Sequence, residues 1–547
     1  MTTRTDRYDV ACALVLAALT VASRLPYRAR MLYNWDAVQF ALALSEYDVV
    51  KHQPHPPGYI LYVALGRLVN AWVGDPPAAY VVLAVVFSGL TTFVVYYLAR
   101  AAYDRATALA SASLLAVSPL FWFYGSVGLT YAGEALIASV VAYFSFRARR
   151  GSETDAWLAA GYLGLAGGFR QSALVLLFPL WLAATRLGVR RRRTVVIGLL
   201  VIAATTMLWF VPMVWMTGGL ARYVAASIDL AETVVKPTSI LTGPFDVTLR
   251  MSRYLAESVV VALGPLVLAV LLVPWYVRRR GLGAPEWFFL SWAGPAVLVY
   301  TLVHFGQAGY VLTFLPALII VLAHVVLEAF RAVPVGRPPL RAAVAAVAVM
   351  LVVLTNGAFF VSARPAPRDF DTPKPAWVQR AQDEAFDWIW SRTAAALREH
   401  EAVVQTFVDT IRGLFDPRDT AILTELGNPR SYPWLRHATY YLADYTIYEL
   451  RVGTLPPGYY APRLASAMIR VPGDEVHLPP AIKQLVWFVD HWNPTSPRPP
   501  GLVEIELPYG RFLYVLPLGR GPAEYAGYTI VREEPPRRAR GSTAHLR

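Results

Sequence analysis

Asn34-Trp35-Asp36-Ala37-Val38-Gln39-Phe40 and, later in the same loop, Lys51-His52-Gln53-Pro54-His55-Pro56-Pro57-Gly58 follow the first apolar segment of the chain. The sequence on both sides of this polar loop is typical of a membrane protein. An acidic side chain is costly to keep at the edge of a bilayer, so Asp36 marks a functional site by default. The loop therefore indicates a membrane-embedded fold and the place of its site.

Composition supports the membrane assignment. The chain has 547 residues, 56% of them apolar, and a mean hydropathy of +0.42, which is too hydrophobic for a soluble multidomain protein. Cys12 is the single cysteine, so a fold stapled by internal disulfides is excluded. Residues 1–363 hold 28 Lys/Arg against 16 Asp/Glu, whereas residues 364–547 hold 22 against 21. The excess positive charge therefore belongs to the membrane part, which argues against a nucleic-acid-binding domain.

Apolar runs predict about eleven transmembrane helices. They fall at about 9–25, 79–98, 106–124, 130–147, 156–169, 171–185, 194–216, 255–277, 284–303, 308–329 and 341–361. Several are shorter than the roughly 20 residues that a straight span needs. Arg170 and Gln171 divide one hydrophobic stretch, which predicts two short helices meeting at one membrane face.

The distribution of Lys and Arg in the loops predicts the orientation. With a cytoplasmic N-terminus, 18 of these residues fall in cytoplasmic loops and 10 in outer loops. The Asp36 loop and the C-terminal region then lie on the extracytoplasmic side. A cleaved signal peptide is the alternative interpretation of the first segment, but no small-x-small cleavage pattern precedes Arg24.

The outer regions have patterns of their own. Residues 35–46 and 59–73 are predicted to form helices lying along the membrane surface. Residues 217–254 form another outer loop, either a substrate gate or solvated surface. Proline residues follow Arg364, and beyond them helix-like stretches such as 375–396 alternate with short apolar runs at 421–423, 485–489 and 512–516. The sequence predicts a mainly α polytopic membrane domain at 1–363 and a small extracytoplasmic α/β domain at 364–547.

Trp35-Asp36 and His55-Pro56-Pro57-Gly58 resemble the GT-C superfamily of integral-membrane glycosyltransferases, in particular the bacterial protein O-mannosyltransferase and aminoarabinose-transferase type. Gly309-Tyr310-Val311-Leu312 with Leu315-Pro316-Ala317-Leu318 is similar to a late helix start in these families. The resemblance is clearest over residues 1–330. Many relatives carry a second acidic residue beside the loop aspartate, where this chain has Ala37, so a mechanism requiring two adjacent carboxylates is not supported.

The resemblance implies a hexosyl or pentosyl transferase with a polyprenyl-phosphate-linked sugar donor. Transfer to a hydroxyl of a lipid, glycan or protein acceptor would invert the anomeric carbon. The reaction needs a base for the acceptor proton and a fixed cation for the departing phosphate. We interpret Asp36 as the base, with a helix cap or ion pair as the alternative. We interpret Arg170 as the phosphate ligand, with pairing to a neighbouring helix or contact with lipid headgroups as the alternative.

Further candidates for substrate binding lie at the predicted outer ends of spans. Glu134 would orient the acceptor, or else stabilise the dipole of its own helix. His304, Gln307 and Tyr310 would contact phosphate or sugar, or else anchor the membrane interface. His55 and Gln171 complete the predicted set of binding residues.

A cofactor is not established by the sequence. His52 and His55 form a His-x-x-His that could hold zinc with Asp36 or Glu134, but a loop with two prolines does not fix helical spacing. We therefore predict no metal ligands, with dependence on a divalent cation as the alternative.

Two other function classes compete with the transferase. A polyprenyl-linked sugar flippase or transporter would have polar residues near the midplane and internal repeats, and neither is visible. A membrane-anchored scaffold would not need eleven spans. We expect a multi-pass protein of the bacterial inner membrane, in keeping with a composition rich in Arg, Ala and Pro.

Overall fold

The computed structural model describes residues 6–304, 306–333, 337–364, 375, 392–428, 430, 435–453, 468–471, 473–519 and 521–533. Element labels count only these residues. The chain divides into two compact units, Met1–Glu401 with Pro457–Tyr460, and Ala402–Pro456 with Ala461–Arg547.

The first unit is a bundle of α-helices. Its helices are α1 Arg7–Arg24, α2 Trp35–Ser45, α3 Ile60–Val73, α4 Pro76–Ala102, α5 Arg105–Ala116, α6 Pro119–Tyr124, α7 Tyr131–Arg149, α8 Glu153–Phe169, α9 Gln171–Gly188, α10 Arg192–Met216, α11 Leu220–Leu230, α12 Phe245–Leu263, α13 Val273–Arg280, α14 Ala284–Leu302, α15 Leu315–Ala332 and α16 Pro338–Ser362. Helix α17, Ala394–Leu414, crosses the boundary between the units.

Local sequence signals set many helix starts. Asp75 begins α4 by accepting a hydrogen bond from Ala78 N at 3.2 Å, and Pro76 occupies the first helical position, where its missing N–H costs nothing. Asp104 caps α5 in the same way through Thr107 N at 2.8 Å.

Every predicted span contains helix, but the count of eleven spans is not confirmed. Seven stretches of the described residues are long and apolar enough to cross a membrane: Arg7–Tyr27, Pro76–Ala102, Gln171–Gly188, Arg192–Met216, Phe245–Arg280, Leu315–Ala332 and Pro338–Ser362. They make the chain a multi-pass membrane protein. The predicted spans at 106–124, 130–147, 156–169 and 284–303 do not meet this criterion.

One predicted span is broken. Residues 106–124 form α5 and the six-residue α6, because the chain leaves helical geometry at Ser118 before Pro119. A proline disfavours helical conformation in the residue that precedes it. The short α6 is consequently free to place its aromatic side chains beside the Asp36 loop.

The predicted division at Arg170 is confirmed. Arg170 has extended backbone angles, φ −160° and ψ 120°, and separates α8 from α9. The predicted surface segments also form helices, α2 and α3, and the loop at 217–254 contains α11, a π-helical turn at Ala231–Val235 and the start of α12.

The second unit contains the predicted strands. These are β1 Thr420–Leu426, β2 Thr446–Arg451, β3 Met468–Arg470, β4 Glu475–Leu478, β5 Gln484–Trp487, β6 Val503–Leu507, β7 Arg511–Pro517, β8 Ala523–Tyr525 and β9 Tyr528–Arg532, with the helix α18 Leu435–Tyr441. The predicted helix at 375–396 lies mostly outside the described residues, as do Pro365, Pro367 and Pro373.

The strands form two sheets. The larger has the order β3-β2-β1-β5-β7-β6, with β1 parallel to both β2 and β5 and β7 antiparallel to β5. The smaller has the order β4-β9-β8. Because β1 is paired on both sides, all seven of its residues are buried, as expected for a central parallel strand.

Candidate functional site

Asp36 lies in the first turn of α2. The side chain of Asn34 caps this helix by accepting from Ala37 N at 3.0 Å. The Asp36 side chain is 30% exposed, and its Oδ1 lies 3.7 Å from Nδ1 of His55. A carboxylate that is only partly covered can reach a bound molecule and accept its proton.

His55 is fixed in place by both ring nitrogens. Its Nδ1 lies 2.5 Å from Oε1 of the buried Gln39, which also accepts the main-chain N–H of His55 at 3.1 Å. Its Nε2 lies 2.9 Å from the hydroxyl of Tyr59. An amide oxygen only accepts, so Nδ1 carries the hydrogen and Nε2 receives the tyrosine hydroxyl. These two hydrogen bonds therefore fix the orientation of the imidazole ring relative to Asp36.

Tyr59 has an uncommon backbone conformation at the start of α3. Its φ of 44° and ψ of 35° are left-handed, a region that non-glycine residues rarely adopt. The ring packs at 5.2 Å from that of Phe40, and the hydroxyl contacts His55. Such conformations persist where surrounding contacts fix them, and they are concentrated at functional sites.

Arg170 pairs with Glu134. Its Nη1 donates to Glu134 Oε1 at 2.7 Å, and the two side chains are 9% and 1% exposed. Glu134 also accepts from the hydroxyls of Thr130 at 2.9 Å and Thr313 at 3.4 Å. Arg170 therefore pairs with a neighbouring helix, as one of the two alternative interpretations has it, and Glu134 does more than stabilise the start of α7.

Aromatic rings cover the guanidinium. Arg170 Cζ lies 4.2 Å from the ring centre of Tyr310 and 5.3 Å from that of Tyr131. The Tyr131 hydroxyl donates to Gln307 Oε1 at 2.8 Å, and the His304 ring lies 5.6 Å from Tyr310. The fold thus brings His304, Gln307 and Tyr310 together with Arg170.

Asp36 and Arg170 act on the same side chains. Tyr59, Tyr131 and Tyr310 each interact electrostatically with both of these charged groups. The carboxylate and the guanidinium come from distant parts of the sequence, yet both lie near enough to these three tyrosines for their charges to act on them. A carboxylate and a cation placed near the same phenol groups can accept a proton from one substrate and stabilise a phosphate of the other.

Gln171 connects three segments. Its Nε2 donates to the hydroxyl of Tyr223 at 2.7 Å and lies 3.4 Å from the carbonyl oxygen of Pro57. The amide therefore joins α9 to α11 and to the His-Pro-Pro-Gly loop, next to Arg170. Through Tyr223, the 217–254 loop takes part in the walls of the site.

The other acidic residues of the loop have structural contacts. Glu46 pairs with Lys51 at the surface. Asp48 Oδ1 accepts from the main-chain N–H groups of Val50 at 2.9 Å and Lys51 at 3.2 Å. These contacts leave Asp36 as the candidate base of the loop.

Among the described residues, no three His, Cys, Asp or Glu side chains converge as a metal site would require. His55 approaches Asp36, but its ring nitrogens face Gln39 and Tyr59. Among the described residues, His52 and His55 therefore do not converge with Asp36 or Glu134 as metal ligands.

Several residues of the site were not predicted. They are Tyr131, Tyr59, Gln39 and Thr313. Tyr131 lies three residues before Glu134, but the chain has 30 tyrosines and nothing in the local sequence distinguishes this one. Gln39 lies one helical turn after Asp36, a spacing that could have suggested a shared face.

Comparison with known proteins adds the family context. Residues 54–216 match the family model of dolichyl-phosphate-mannose-protein mannosyltransferases. The structure of ArnT from Cupriavidus metallidurans bound to undecaprenyl phosphate superposes with a TM-score of 0.53 at 14% identity, covering 80% of this chain and 85% of that one. This chain has the GT-C fold.

Two further solved structures are similar to a lesser degree. ArnT from Cupriavidus metallidurans in the apo state gives a TM-score of 0.49 at 15% identity, with coverage of 81% and 85%. The Archaeoglobus fulgidus oligosaccharyltransferase tethered with an acceptor peptide gives 0.45 at 13% identity, with coverage of 81% and 64%. No curated protein sequence matches the chain. Within the GT-C fold, the family-model match spans the His-Pro-Pro-Gly loop, Glu134 and Arg170.

Proposed function

We propose that the chain is a membrane glycosyltransferase. It moves a sugar from a polyprenyl-phosphate-linked donor to an acceptor hydroxyl on the extracytoplasmic face, with inversion at the anomeric carbon. The observation that carries the proposal is the placement of the two charged groups: Arg170 lies over the rings of Tyr131 and Tyr310, and Asp36 lies beside His55, which contacts Tyr59. The mannosyltransferase family match and the undecaprenyl phosphate held by ArnT support a lipid-phosphate donor.

Asp36 is the general base in this proposal. Its partial exposure leaves room for an acceptor hydroxyl beside the carboxylate. As the acceptor oxygen bonds to the anomeric carbon, its proton passes to Asp36 and the bond from that carbon to the phosphate oxygen breaks. General-base assistance of this kind contributes about 10²–10⁴ in rate.

Arg170 is the cation that binds the lipid phosphate. The leaving phosphate gains charge as the glycosidic bond breaks, and a fixed guanidinium in a water-poor setting stabilises that charge. The bond to Glu134 holds the guanidinium ready, and the rings of Tyr131 and Tyr310 shield it from water. With five N–H donors in a planar fork, the guanidinium can keep one donor on Glu134 and direct others at the phosphate.

The remaining predicted residues position the substrates. Gln307, His304 and Tyr310 contact sugar or phosphate in this proposal, which their grouping around Arg170 supports, and Gln171 holds the loop that contains Pro57. His55 lies beside the Asp36 carboxylate and positions the part of the site around it. Each supplies a hydrogen-bonding group or an aromatic ring of the kind that binds sugars in proteins.

Membrane topology follows from the same proposal. A cytoplasmic N-terminus places Asp36 and the second unit on the extracytoplasmic side, and the Lys/Arg bias of the loops supports this orientation. The protein then belongs to the bacterial inner membrane and meets its lipid-linked donor and its acceptor at the outer leaflet. The acceptor is a lipid, a glycan or a protein.

The decisive experiment measures sugar transfer by purified protein. Wild type, Asp36→Asn and the control Glu46→Gln are incubated with radiolabelled polyprenyl-phosphate sugars and membrane extract. We expect transfer by wild type and by Glu46→Gln, and a loss of at least a hundredfold in Asp36→Asn. Asp36→Asn activity equal to wild type would refute the role of the base. Movement of the sugar lipid across liposome membranes without sugar transfer would identify the protein as a flippase and not as a transferase.

A further inference from the structure

The segment between α1 and α2 is held by side chains at the start of α17. Residues 28–34 form no helix or strand, so their main-chain groups need partners elsewhere. Glu401 of α17 supplies two of these partners. Its Oε1 accepts the N–H of Arg30 and, at 3.2 Å, the N–H of Met31. Glu401 is buried, with 6% of its surface exposed, so these bonds are shielded from water.

Arg398 holds the same segment from one turn earlier in α17. Its Nη1 donates to Glu401 Oε2 at 2.5 Å, and its Nη2 donates to the carbonyl oxygens of Pro26 and Arg28, each at 3.0 Å. The pair therefore binds both donors and acceptors of one short stretch of backbone. Charge-assisted hydrogen bonds are stronger than neutral ones, which favours a fixed geometry.

A third contact lies at the end of the segment. Arg392 Nη1 donates to the hydroxyl of Tyr33 at 2.8 Å, and its Nε donates to that of Tyr124 at 3.3 Å. The His400 ring lies 5.3 Å from the ring of Tyr33. Tyr33 directly precedes Asn34, the residue that caps α2.

We propose that Arg398 and Glu401 are positioning residues for Asp36, an inference that rests on the proposed transferase function. They fix the backbone of residues 26–31, which leads through Tyr33 and Asn34 into the first turn of α2. Asp36 stands in that turn, so a shift of the segment moves its carboxylate relative to Arg170. Displacement of a catalytic group by about 1 Å can cost about a hundredfold in rate.

A positioning role and a purely structural role of these residues predict different changes in kcat, donor KM and the amount of folded protein. Within the described part of the chain, the hydrogen bonds of Glu401 and Arg398 run to each other and to residues 26–31, and not to Glu134, Tyr131 or Tyr310, so we expect donor binding to be independent of them. Loss of positioning lowers kcat and leaves the donor KM unchanged. A merely structural role lowers the amount of folded protein and the remaining activity together.

The test compares Glu401→Ala, Glu401→Gln and the control Gln405→Ala. Glutamine keeps an oxygen that can accept from Arg30 and Met31, whereas alanine does not. Gln405 is one turn further along α17, is exposed, and bonds only within its helix to Asp409. Measurements are kcat and donor KM for sugar transfer, together with hydrogen exchange of peptides covering residues 26–45.

We expect Glu401→Ala to lower kcat at least tenfold, to keep the donor KM within twofold and to raise exchange in residues 28–40. Glu401→Gln restores most of the activity, and Gln405→Ala behaves as wild type. Raised exchange with unchanged kcat would overturn the positioning role, as would parallel loss of folded protein, kcat and donor affinity. Absence of transfer by wild type would instead refute the proposed function, while the exchange data would still report whether Glu401 holds the segment.

Discussion

Arg170 Nη1 donates to Glu134 Oε1 at 2.7 Å, with both side chains almost entirely removed from solvent. The pair joins the break between α8 and α9 to the first turn of α7. Burying two charges is expensive, and their attraction offsets that cost only when the remaining polar atoms are also bonded. Thr130 and Thr313 provide such bonds to Glu134, and the tyrosine rings cover Arg170. These surrounding contacts therefore stabilise the buried ion pair.

The first prediction separates stability from function in this pair. Arg170→Ala leaves Glu134 buried without its cation, which costs about 3–5 kcal/mol in stability, and it lowers donor binding or turnover at least tenfold. The double variant Glu134→Gln/Arg170→Met removes both charges and regains most of the stability without regaining transfer. Thermal unfolding in detergent and the transfer assay measure the two effects. Arg280→Gln, which breaks a pair with Glu328 that involves no site residue, serves as control.

Full transfer by the double variant would remove Arg170 from the donor site. Equal stability of Arg170→Ala and wild type would mean that water replaces the guanidinium beside Glu134.

Packing against Tyr131 gives a second prediction. A methyl group at Gly309 would meet the Tyr131 ring at 2.5 Å, so Gly309→Ala forces the ring away from Gln307 and Arg170. Overpacking of this kind costs about 1–3 kcal/mol, and we expect transfer to fall at least fivefold. Gly294→Ala is the matched control, because nothing lies within 4 Å of the added atom. If both variants transfer sugar equally well, the position of Tyr131 is not important for the reaction.

The sequence singles out individual charged side chains but not the partners to which they bond. Asp36 and Arg170 were identifiable because each is a charged residue in an otherwise apolar setting, and the backbone break at Arg170 followed from the charge itself. The bond from Arg170 to Glu134 was not predictable, because it depends on how α7 packs beside α8 and α9. The strands around Ile422 and Val486 followed from short apolar runs, but their parallel pairing depends on long-range contacts.

A third prediction concerns the hydrogen bonds of His55. Gln39→Leu removes the buried oxygen that accepts from both the main-chain and ring nitrogens of His55. Leaving buried donors without a partner costs about 1–3 kcal/mol, and the freed imidazole no longer keeps its fixed face toward Asp36. We expect transfer to fall several-fold, with the change mainly in kcat. Ser45→Ala, at the exposed end of the same helix, should transfer as wild type does, and so should Gln39→Leu if the orientation of His55 is unimportant.

The pH dependence of stability in the second unit gives the last prediction. Glu425 is buried near the end of β1, where it accepts from the hydroxyl of Tyr525 and from Asn428 Nδ2 at 2.7 Å. Burial raises the pKa of this carboxyl from 4.5 to about 7. The folded unit therefore binds the proton more tightly than the unfolded chain does. The contribution of Glu425 to the stability of this unit is therefore greatest below pH 4.5. About 3 kcal/mol of that contribution is lost as the pH rises through 7.

Glu425→Gln removes this dependence. At the same pH, we expect amide hydrogen exchange in β1 and β5 to be slower in Glu425→Gln than in wild type at pH 8, and the difference to shrink toward pH 5. Comparing the two proteins at each pH cancels the intrinsic pH dependence of exchange and the titration of groups common to both. Glu475→Gln, an exposed carboxyl on β4, should follow wild type at every pH. A constant ratio of Glu425→Gln to wild-type rates between pH 5 and 8 would mean that Glu425 keeps an ordinary pKa, with its charge stabilised by Tyr525 and Asn428.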